Sequence, residues 1–258
     1  MKKLLTVCLG IIIFLTGFEI GFAADKLVIA TEGAYPPFNY VDPDGNLKGF
    51  DVEIADALCQ QMEISCKMIV QEWDGMIPGL LAKKYDVIVA SMSITAERKK
   101  AVNFTGHYYR VPARFVARKG AGLEISKTGL KGKRVGVQRA TTYANYLNGV
   151  FKDVVDVVYY ASVENHNLDL ITGRVDIVLA QAIFMNKWLE SPEAKDFEVV
   201  GEPIWNQKYI GEGAGIAMHK QNSKLLAQFN KALQEIVANG THKRIADKYF
   251  SFDVYDYK

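Results

Sequence analysis

The 258-residue chain has few cysteines, only four histidines and no excess of charge of either sign. Its 31 lysines and arginines nearly balance 29 aspartates and glutamates, so no chain-wide field favours nucleic acid or an anionic membrane surface. The histidines are scattered, without cysteine or carboxylate at ligand spacing, which predicts no metal and no cofactor. Partners therefore have to be inferred from local patterns.

Apolar runs of membrane-spanning length are absent after the N-terminus. The first residues combine two lysines, an apolar run from Leu4 to Phe18, and small residues at Gly21 and Ala23. This order is typical of a secretory signal peptide, and a membrane anchor is the alternative. The run is shorter than the ~20 residues of a span, so we predict cleavage of residues 1–23 and export to the periplasm.

Cys59 and Cys66 are the two cysteines that remain after cleavage, an even pair in a chain predicted to enter an oxidising compartment. Apolar residues at Ile54, Leu58 and Met62 predict an amphipathic helix near residues 51–63, with Cys59 in its last turns. Cys66 lies on the strand that follows. A disulfide would join the helix end to this strand, and two buried free thiols are the alternative.

Strand and helix patterns alternate in two sets. Strands are predicted at 27–31, 67–71 and 86–91 in the first set, and at 133–138, 155–161 and 175–180 in the second, with helices between them. This order predicts an α/β fold with mostly parallel sheets flanked by helices.

Extended segments near 108–118 and 202–209 flank the second set, and an amphipathic helix ending before Gly240 follows them. Two chain crossings predict one lobe made of residues 24–111 and 207–258. The second lobe, residues 112–206, is inserted in it, with two strands as a hinge.

One candidate anion site lies in the segment VASMSITAERKK, where a predicted strand ends and a helix begins. Ser91, Ser93 and Thr95 supply hydroxyls, and Arg98 lies in the first helical turn. Together with the helix N-terminus these groups can bind a carboxylate. Simple helix capping is the alternative.

A second turn of the same kind, VGVQRATTYANY, provides Thr141 and Thr142 in the other lobe, bordered by Arg139 and Tyr143. In open α/β sheets, ligands bind beyond the carboxyl ends of the strands. Two such ends facing each other predict a cleft for a small molecule that carries an anionic group.

Three further residues follow predicted strand ends. Glu32 and Tyr35 lie just after the first strand, and Trp73 lies after the next one. Two aromatic rings and a carboxylate predict a slot for a long side chain with a positive tip. Aromatic rings that only cover the edge of a core are the alternative.

These segments together resemble the polar amino-acid-binding proteins of ABC importers, especially the lysine/arginine/ornithine-, histidine- and opine-binding members. The similarity covers the mature chain and includes the motifs GAYPPF, WDGMIPGL, SMSIT, GRVD and DKYFSFDVY. It implies a two-lobed periplasmic-binding-protein fold of type II. It also implies an inner-membrane ABC permease as partner, a monomeric chain and no enzymatic activity.

Carried over by position, the resemblance implies a role for each candidate residue. Arg98 would bind the ligand carboxylate with Ser93 and Thr142, Ser91 would contact the α-amino group, and Glu32 would meet the side-chain cation. Tyr35 and Trp73 would enclose the aliphatic stem. The complete predicted ligand-binding set is Glu32, Tyr35, Trp73, Ser91, Met92, Ser93, Arg98, Thr141, Thr142 and Gln181.

Gln181 departs from the pattern. Lysine- and histidine-type relatives have an aspartate there that pairs with the α-ammonium, whereas opine-binding relatives lack it. A cationic amino acid is therefore the main hypothesis, and an opine or another N-substituted arginine is the alternative. A cyclohexadienyl or arogenate dehydratase of the same fold, with Glu32 as general acid, is less favoured, and a sensor domain is a further hypothesis.

Overall fold

The computed structural model describes residues 26–256, so the predicted signal peptide and its cleavage site lie outside the described residues. Within that range, strands β1 to β13 run in chain order over Leu27–Thr31, Ala34–Tyr35, Asn39–Val41, Leu47–Lys48, Cys66–Val70, Val87–Ile88, Val102–Tyr109, Ala113–Arg118, Arg134–Gln138, Asp156–Tyr160, Ile177–Gln181, Phe197–Ile204 and Ala214–His219. Helices α1 to α9 run over Phe50–Gln61, Met76–Leu81, Ala96–Ala101, Thr142–Val150, Val163–Ile171, Ala182–Leu189, Gln207–Ile210, Ser223–Ala238 and Thr241–Ala246. Short 3₁₀ turns lie at Trp73–Gly75 and Pro192–Ala194.

The strands form two five-stranded sheets and one small antiparallel sheet. The first large sheet has the order β5-β1-β6-β13-β7, the second has the order β10-β9-β11-β8-β12, and β2, β3 and β4 form the small one. Helices flank these sheets, and the predicted α/β class is confirmed.

The prediction of mostly parallel sheets is correct for three adjacent strands of each large sheet. In the first, β5, β1 and β6 are parallel, whereas β13 is antiparallel to both β6 and β7. In the second, β10, β9 and β11 are parallel, whereas β8 is antiparallel to β11 and β12. The antiparallel strands β7, β8, β12 and β13 adjoin the two connections between the sheets.

The chain passes from one sheet to the other twice. It leaves the first sheet at Tyr109 and enters the second at Ala113, then leaves the second at Ile204 and returns at Ala214. Helix α7, which the predicted boundary at 206/207 assigns to the first lobe, packs Ile210 into the apolar core of the second sheet. The second connection therefore includes a short helix held by the inserted lobe.

Helix α1 forms where the sequence pattern predicts it and buries one face. Ile54, Ala55 and Leu58 are fully buried on this face, and the helix ends at Gln61. The predicted disulfide joins Cys59, in the last turns of this helix, to Cys66, the first residue of β5. The link attaches the outer strand of the first sheet to the helix that packs on that sheet.

The same parallel order brings the carboxyl ends of several strands to one place. β1 ends at Thr31 in the first sheet, and β9 and β11 end at Gln138 and Gln181 in the second. Side chains at or just beyond these ends line the space between the sheets. Among residues 26–256, no helix is both long and apolar enough to cross a membrane.

Candidate ligand-binding site

A cavity of about 20 Å³ lies where the two lobes meet. Its walls contain every predicted ligand-binding residue except Met92 and Gln181, which lie elsewhere. The first lobe contributes Glu32, Tyr35, Trp73, Ala90, Ser91, Ser93 and Arg98, and the second contributes Gln138, Thr141, Thr142 and Tyr143. Residues that are far apart in the sequence thus form one site.

Glu32 lies directly after β1 and is 7% exposed. Its Oε1 accepts a hydrogen bond of 2.6 Å from Nε2 of Gln138, which belongs to the other lobe and also donates to the carbonyl of Ala161. Burial raises the pKa of Glu32 to about 7, against the effect of the Gln138 hydrogen bond, and the nearby charge of Asp51 adds to the rise. A carboxylate in this setting favours a cationic partner, because the amide donates a hydrogen bond without neutralising the charge.

Gln138 is a site residue that the sequence patterns did not identify. It is the last residue of β9 and is 3% exposed. The sequence signal that could have identified Gln138 as a site residue is its position at the end of a strand, three residues before the helix cap Thr141.

Two aromatic rings, those of Tyr35 and Trp73, line the cavity. Trp73 donates from Nε1 to the carbonyl of Ala140 in the other lobe at 3.2 Å, and its ring centre lies 5.3 Å from the Arg98 guanidinium carbon. Tyr35 stacks on Phe184 of the second lobe with ring centres 4.8 Å apart. The two predicted aromatic residues therefore line the site and contact the opposite lobe.

Arg98 supplies the cation of the site. Its Nη1 donates to the carbonyl of Ser93 at 3.0 Å, and its Nη2 donates to the carbonyl of Ala140 at 3.2 Å. Burial lowers the pKa of Arg98 to about 10, so the side chain stays charged at neutral pH. Because carbonyl oxygens carry no formal charge, the guanidinium keeps its capacity to pair with a carboxylate.

The threonine hydroxyls divide between capping and lining the site. Thr95 Oγ1 accepts from the Arg98 amide at 3.2 Å, which is a helix cap. Thr141 Oγ1 accepts from the Ala144 amide and donates to the Gln138 carbonyl, so it caps α4 while bordering the cavity. Thr142 begins α4, where unpaired backbone N–H groups can bind an anion.

Ser91 is held by a ring of hydrogen bonds around Asp51, another residue that the sequence patterns did not identify. Ser91 Oγ donates to Oδ2 of Asp51 at 2.9 Å, and Tyr108 donates from its hydroxyl to Oδ1 at 2.7 Å. The Ser91 amide donates to the same Tyr108 hydroxyl. Ser91 has φ of 54°, a left-handed conformation uncommon for a residue other than glycine, and the ring fixes it.

Met92 and Gln181 lie outside the small cavity. The Met92 side chain is buried in an apolar cluster beneath the first sheet, so the structure does not bring it to the ligand-binding walls. Gln181 donates from Nε2 to the Tyr109 hydroxyl at 2.7 Å, and its Oε1 is buried without a hydrogen-bond partner among the described residues.

Gln181 borders a larger space, the hinge pocket, of about 570 Å³. This pocket lies along the two connections between the lobes and shares Ser91, Ser93 and Tyr143 with the small cavity. The rest of its wall comes from His107, Tyr109, Arg110, Val111, Gln181, Trp205, Gln207 and Ile210 through Ala214.

Arg139 lies at the rim and links the lobes. Its guanidinium pairs with Asp74 of the first lobe at 2.5 Å, and both side chains are partly exposed. No group of three or more histidine, cysteine, aspartate or glutamate side chains within residues 26–256 is arranged to hold a metal ion.

Two α/β lobes, two connecting segments and a cavity between them that contains a carboxylate and a guanidinium define a two-lobed binding protein. Residues 27–252 match the bacterial extracellular solute-binding proteins, family 3, and the chain belongs to that family. The predicted family membership and fold are confirmed.

The chain is 48% identical to the L-arginine-binding protein of Pseudomonas aeruginosa, over 91% of this chain and 92% of that one. It is 33% identical to the octopine-binding periplasmic protein of Rhizobium meliloti, over 94% and 96%. A solved Salmonella typhimurium periplasmic binding protein, described as having high arginine specificity, is 34% identical with a TM-score of 0.82 and covers 88% of this chain and 100% of that one. These relatives are binding proteins, in agreement with the prediction that the chain is not an enzyme.

Proposed function

We propose that this chain is the periplasmic ligand-binding component of an amino-acid ABC importer and that it binds arginine or another cationic amino acid. The observation that carries the proposal is Glu32, a buried carboxylate between the lobes whose hydrogen-bond partner is the neutral amide of Gln138. A buried carboxylate is strongly favoured when a cation pairs with it. A guanidinium or ammonium group at the tip of a ligand side chain meets that requirement.

Arg98 and the two helix starts suit the other end of such a ligand. The guanidinium of Arg98 and the amides at the start of α4 would bind the α-carboxylate from both lobes. Trp73 and Tyr35 would enclose the aliphatic stem, since they line the same cavity as Glu32 and Arg98. The similarity to an L-arginine-binding protein supports this assignment.

Lobe closure would bury the ligand. The cavity of about 20 Å³ has room for little more than about one water molecule, so a ligand requires the lobes to separate before they close on it. The closing contacts include Gln138 with Glu32, Ala140 with Trp73 and Arg139 with Asp74. An inner-membrane permease would then recognise the closed form of a monomeric binding protein.

Calorimetry with purified protein, unfolded and refolded to remove carried-over ligand, tests this proposal. Arginine, lysine, ornithine and histidine are titrated, with citrulline as a neutral analogue of arginine that keeps its length. We expect at least one cationic amino acid to bind at least about a hundredfold more tightly than citrulline, as for a buried charge pair. Equal affinity for arginine and citrulline, or no binding of any of these cations, would contradict the proposal.

A second candidate ligand is an arginine that carries a carboxyalkyl group on its α-nitrogen. The hinge pocket favours it, because about 570 Å³ adjoin the wall at Ser91 and Gln181, and Arg110 can pair with an additional carboxylate. The octopine-binding relative supports this candidate. Arg110→Ala is then expected to weaken octopine by about tenfold and to change arginine affinity by less than about twofold. Failure of octopine to bind the wild-type protein would rule out this second candidate.

A further inference from the structure

Asp51 lies beneath the cavity and is tied to a residue of its wall. Its side chain is fully buried at the start of α1 and accepts hydrogen bonds from Asn39, Ser91 and Tyr108. All three donors are neutral, and no cationic side chain pairs with Asp51 among residues 26–256. The carboxylate is therefore held in place without being neutralised.

The hydroxyl of Ser91 connects Asp51 to the site. Ser91 has one hydroxyl hydrogen and donates it to Asp51, so the lone pairs of Oγ remain to accept a hydrogen bond from a ligand. Ser91 lies on the walls of both the small cavity and the hinge pocket. A ligand carboxylate on Arg98 and a cationic tip at Glu32 would place the α-ammonium beside this hydroxyl.

A count of buried charges supports a role for Asp51. The small cavity is bordered by Glu32 and Arg98, which together carry no net charge when both are ionised, whereas arginine carries a net charge of one. Gln181, at the amino end, is neutral and offers only Oε1. When Asp51 is included, each of the three charged groups of arginine has a partner of opposite sign.

We propose that Asp51 is a positioning residue, which acts through Ser91 and supplies the negative charge for the ligand's α-ammonium. This proposal rests on the proposed function. An ammonium at hydrogen-bond distance from Ser91 Oγ would lie within ~6 Å of the Asp51 carboxylate. At that separation and with low exposure to water, opposite charges attract appreciably. Asp51 thus provides the negative charge that an acidic side chain at position 181 would otherwise provide.

The test compares arginine with 5-guanidinopentanoate, which is arginine without its α-amino group. The ratio of the two affinities isolates the contribution of the α-ammonium, and calorimetry measures it for each variant. In Asp51→Asn we expect this ratio to fall by at least about tenfold, because the charge is lost while Glu32 and Arg98 remain.

Two further variants separate charge from structure. Tyr108→Phe removes one hydrogen bond from the ring but keeps the carboxylate, and we expect its ratio to stay within about threefold of wild type. The double variant Asp51→Asn/Gln181→Asp again has a carboxylate at the end of the site that faces the ligand's α-ammonium. We expect this variant to restore the ratio. An unchanged ratio in Asp51→Asn, or an equal fall in Tyr108→Phe, would overturn the inference.

The inference remains testable if Asp51→Asn does not fold. In the otherwise wild-type chain, Gln181→Asp should then raise the ratio of arginine affinity to 5-guanidinopentanoate affinity by less than about threefold. The reason is that the α-ammonium already has a charged partner in Asp51. A gain of tenfold or more would show that this partner is missing and would overturn the inference. These outcomes differ from a failure of the proposed function, because in that case arginine itself would not bind the wild-type protein.

Discussion

The two ends of the binding site differ in how closely the lobes approach each other. At the first end, Glu32 and Gln138 are 2.6 Å apart across the interface, and the cavity beside them measures about 20 Å³. At the hinge end, Gln181 borders a pocket of about 570 Å³. The same closed arrangement therefore has one tightly packed end and one roomy end.

This difference indicates where selectivity arises. A tight, buried carboxylate discriminates strongly, because a ligand without a cation leaves it unpaired and a larger ligand does not fit. A roomy end tolerates additions to the ligand, since added groups have space there. We expect the Glu32 end to select the side chain and the hinge end to tolerate changes at the α-nitrogen.

The largest effect is expected from Glu32→Gln. Removing the charge that faces the ligand cation should weaken arginine binding by about a hundredfold or more, as for other buried charge pairs. Calorimetry with arginine and citrulline measures the loss, and citrulline should be almost unaffected. Glu212→Gln, which removes an equal charge at the hinge pocket, serves as control and should change arginine affinity by less than about threefold. Equal losses in the two variants would contradict the comparison.

A methyl group placed on either end of arginine tests the difference directly. Methylation of the guanidinium should weaken binding by about tenfold to a hundredfold, because the two lobes approach each other closely beside Glu32. Methylation of the α-nitrogen should cost less than about fivefold, because the hinge pocket adjoins that end. Competition against bound arginine measures both analogues, and the reverse order would show that the roomy end has been assigned wrongly.

Binding is also expected to depend on pH through Glu32. Burial raises the pKa of this carboxyl to about 7 in the structure, and a bound cation favours its ionised form. Below pH 7, arginine binding should therefore release a proton. Affinity should rise by about tenfold from pH 6 to pH 8 and level off above that. Calorimetric titrations in buffers of different ionisation enthalpy measure the number of protons released on binding. Glu32→Gln should abolish this release.

The smallest effect is expected at the rim. Arg139→Ala removes the ion pair with Asp74, but both side chains are partly exposed, so its contribution to closure is small. Arginine affinity should fall by less than about fivefold, and Asp74→Asn should match it within about twofold. A loss of more than about tenfold would mean that the rim pair, rather than the buried end, determines closure.

Local patterns were sufficient for much of this architecture. The alternation of strands and helices, the apolar stripe of α1 and the strand-to-helix turns at Ser91 and Thr141 each depend on neighbouring residues, and the structure contains them all. The placement of Met92 shows the limit of such patterns. It stands between two site serines in the sequence, yet the backbone bends at Ser91, whose φ is 54°, and the Met92 side chain enters the core.

The chemical types in the cleft, a carboxylate, an arginine, two aromatic rings and several hydroxyls, were determined by the sequence alone, because each follows a strand end or opens a helix. Only the tertiary structure decided which of them meet. Gln138 reaches Glu32 from 106 positions away, and Asp51 reaches Ser91 from 40 positions away. Such pairings depend on how the two sheets pack and close, and no local periodicity in the chain encodes them.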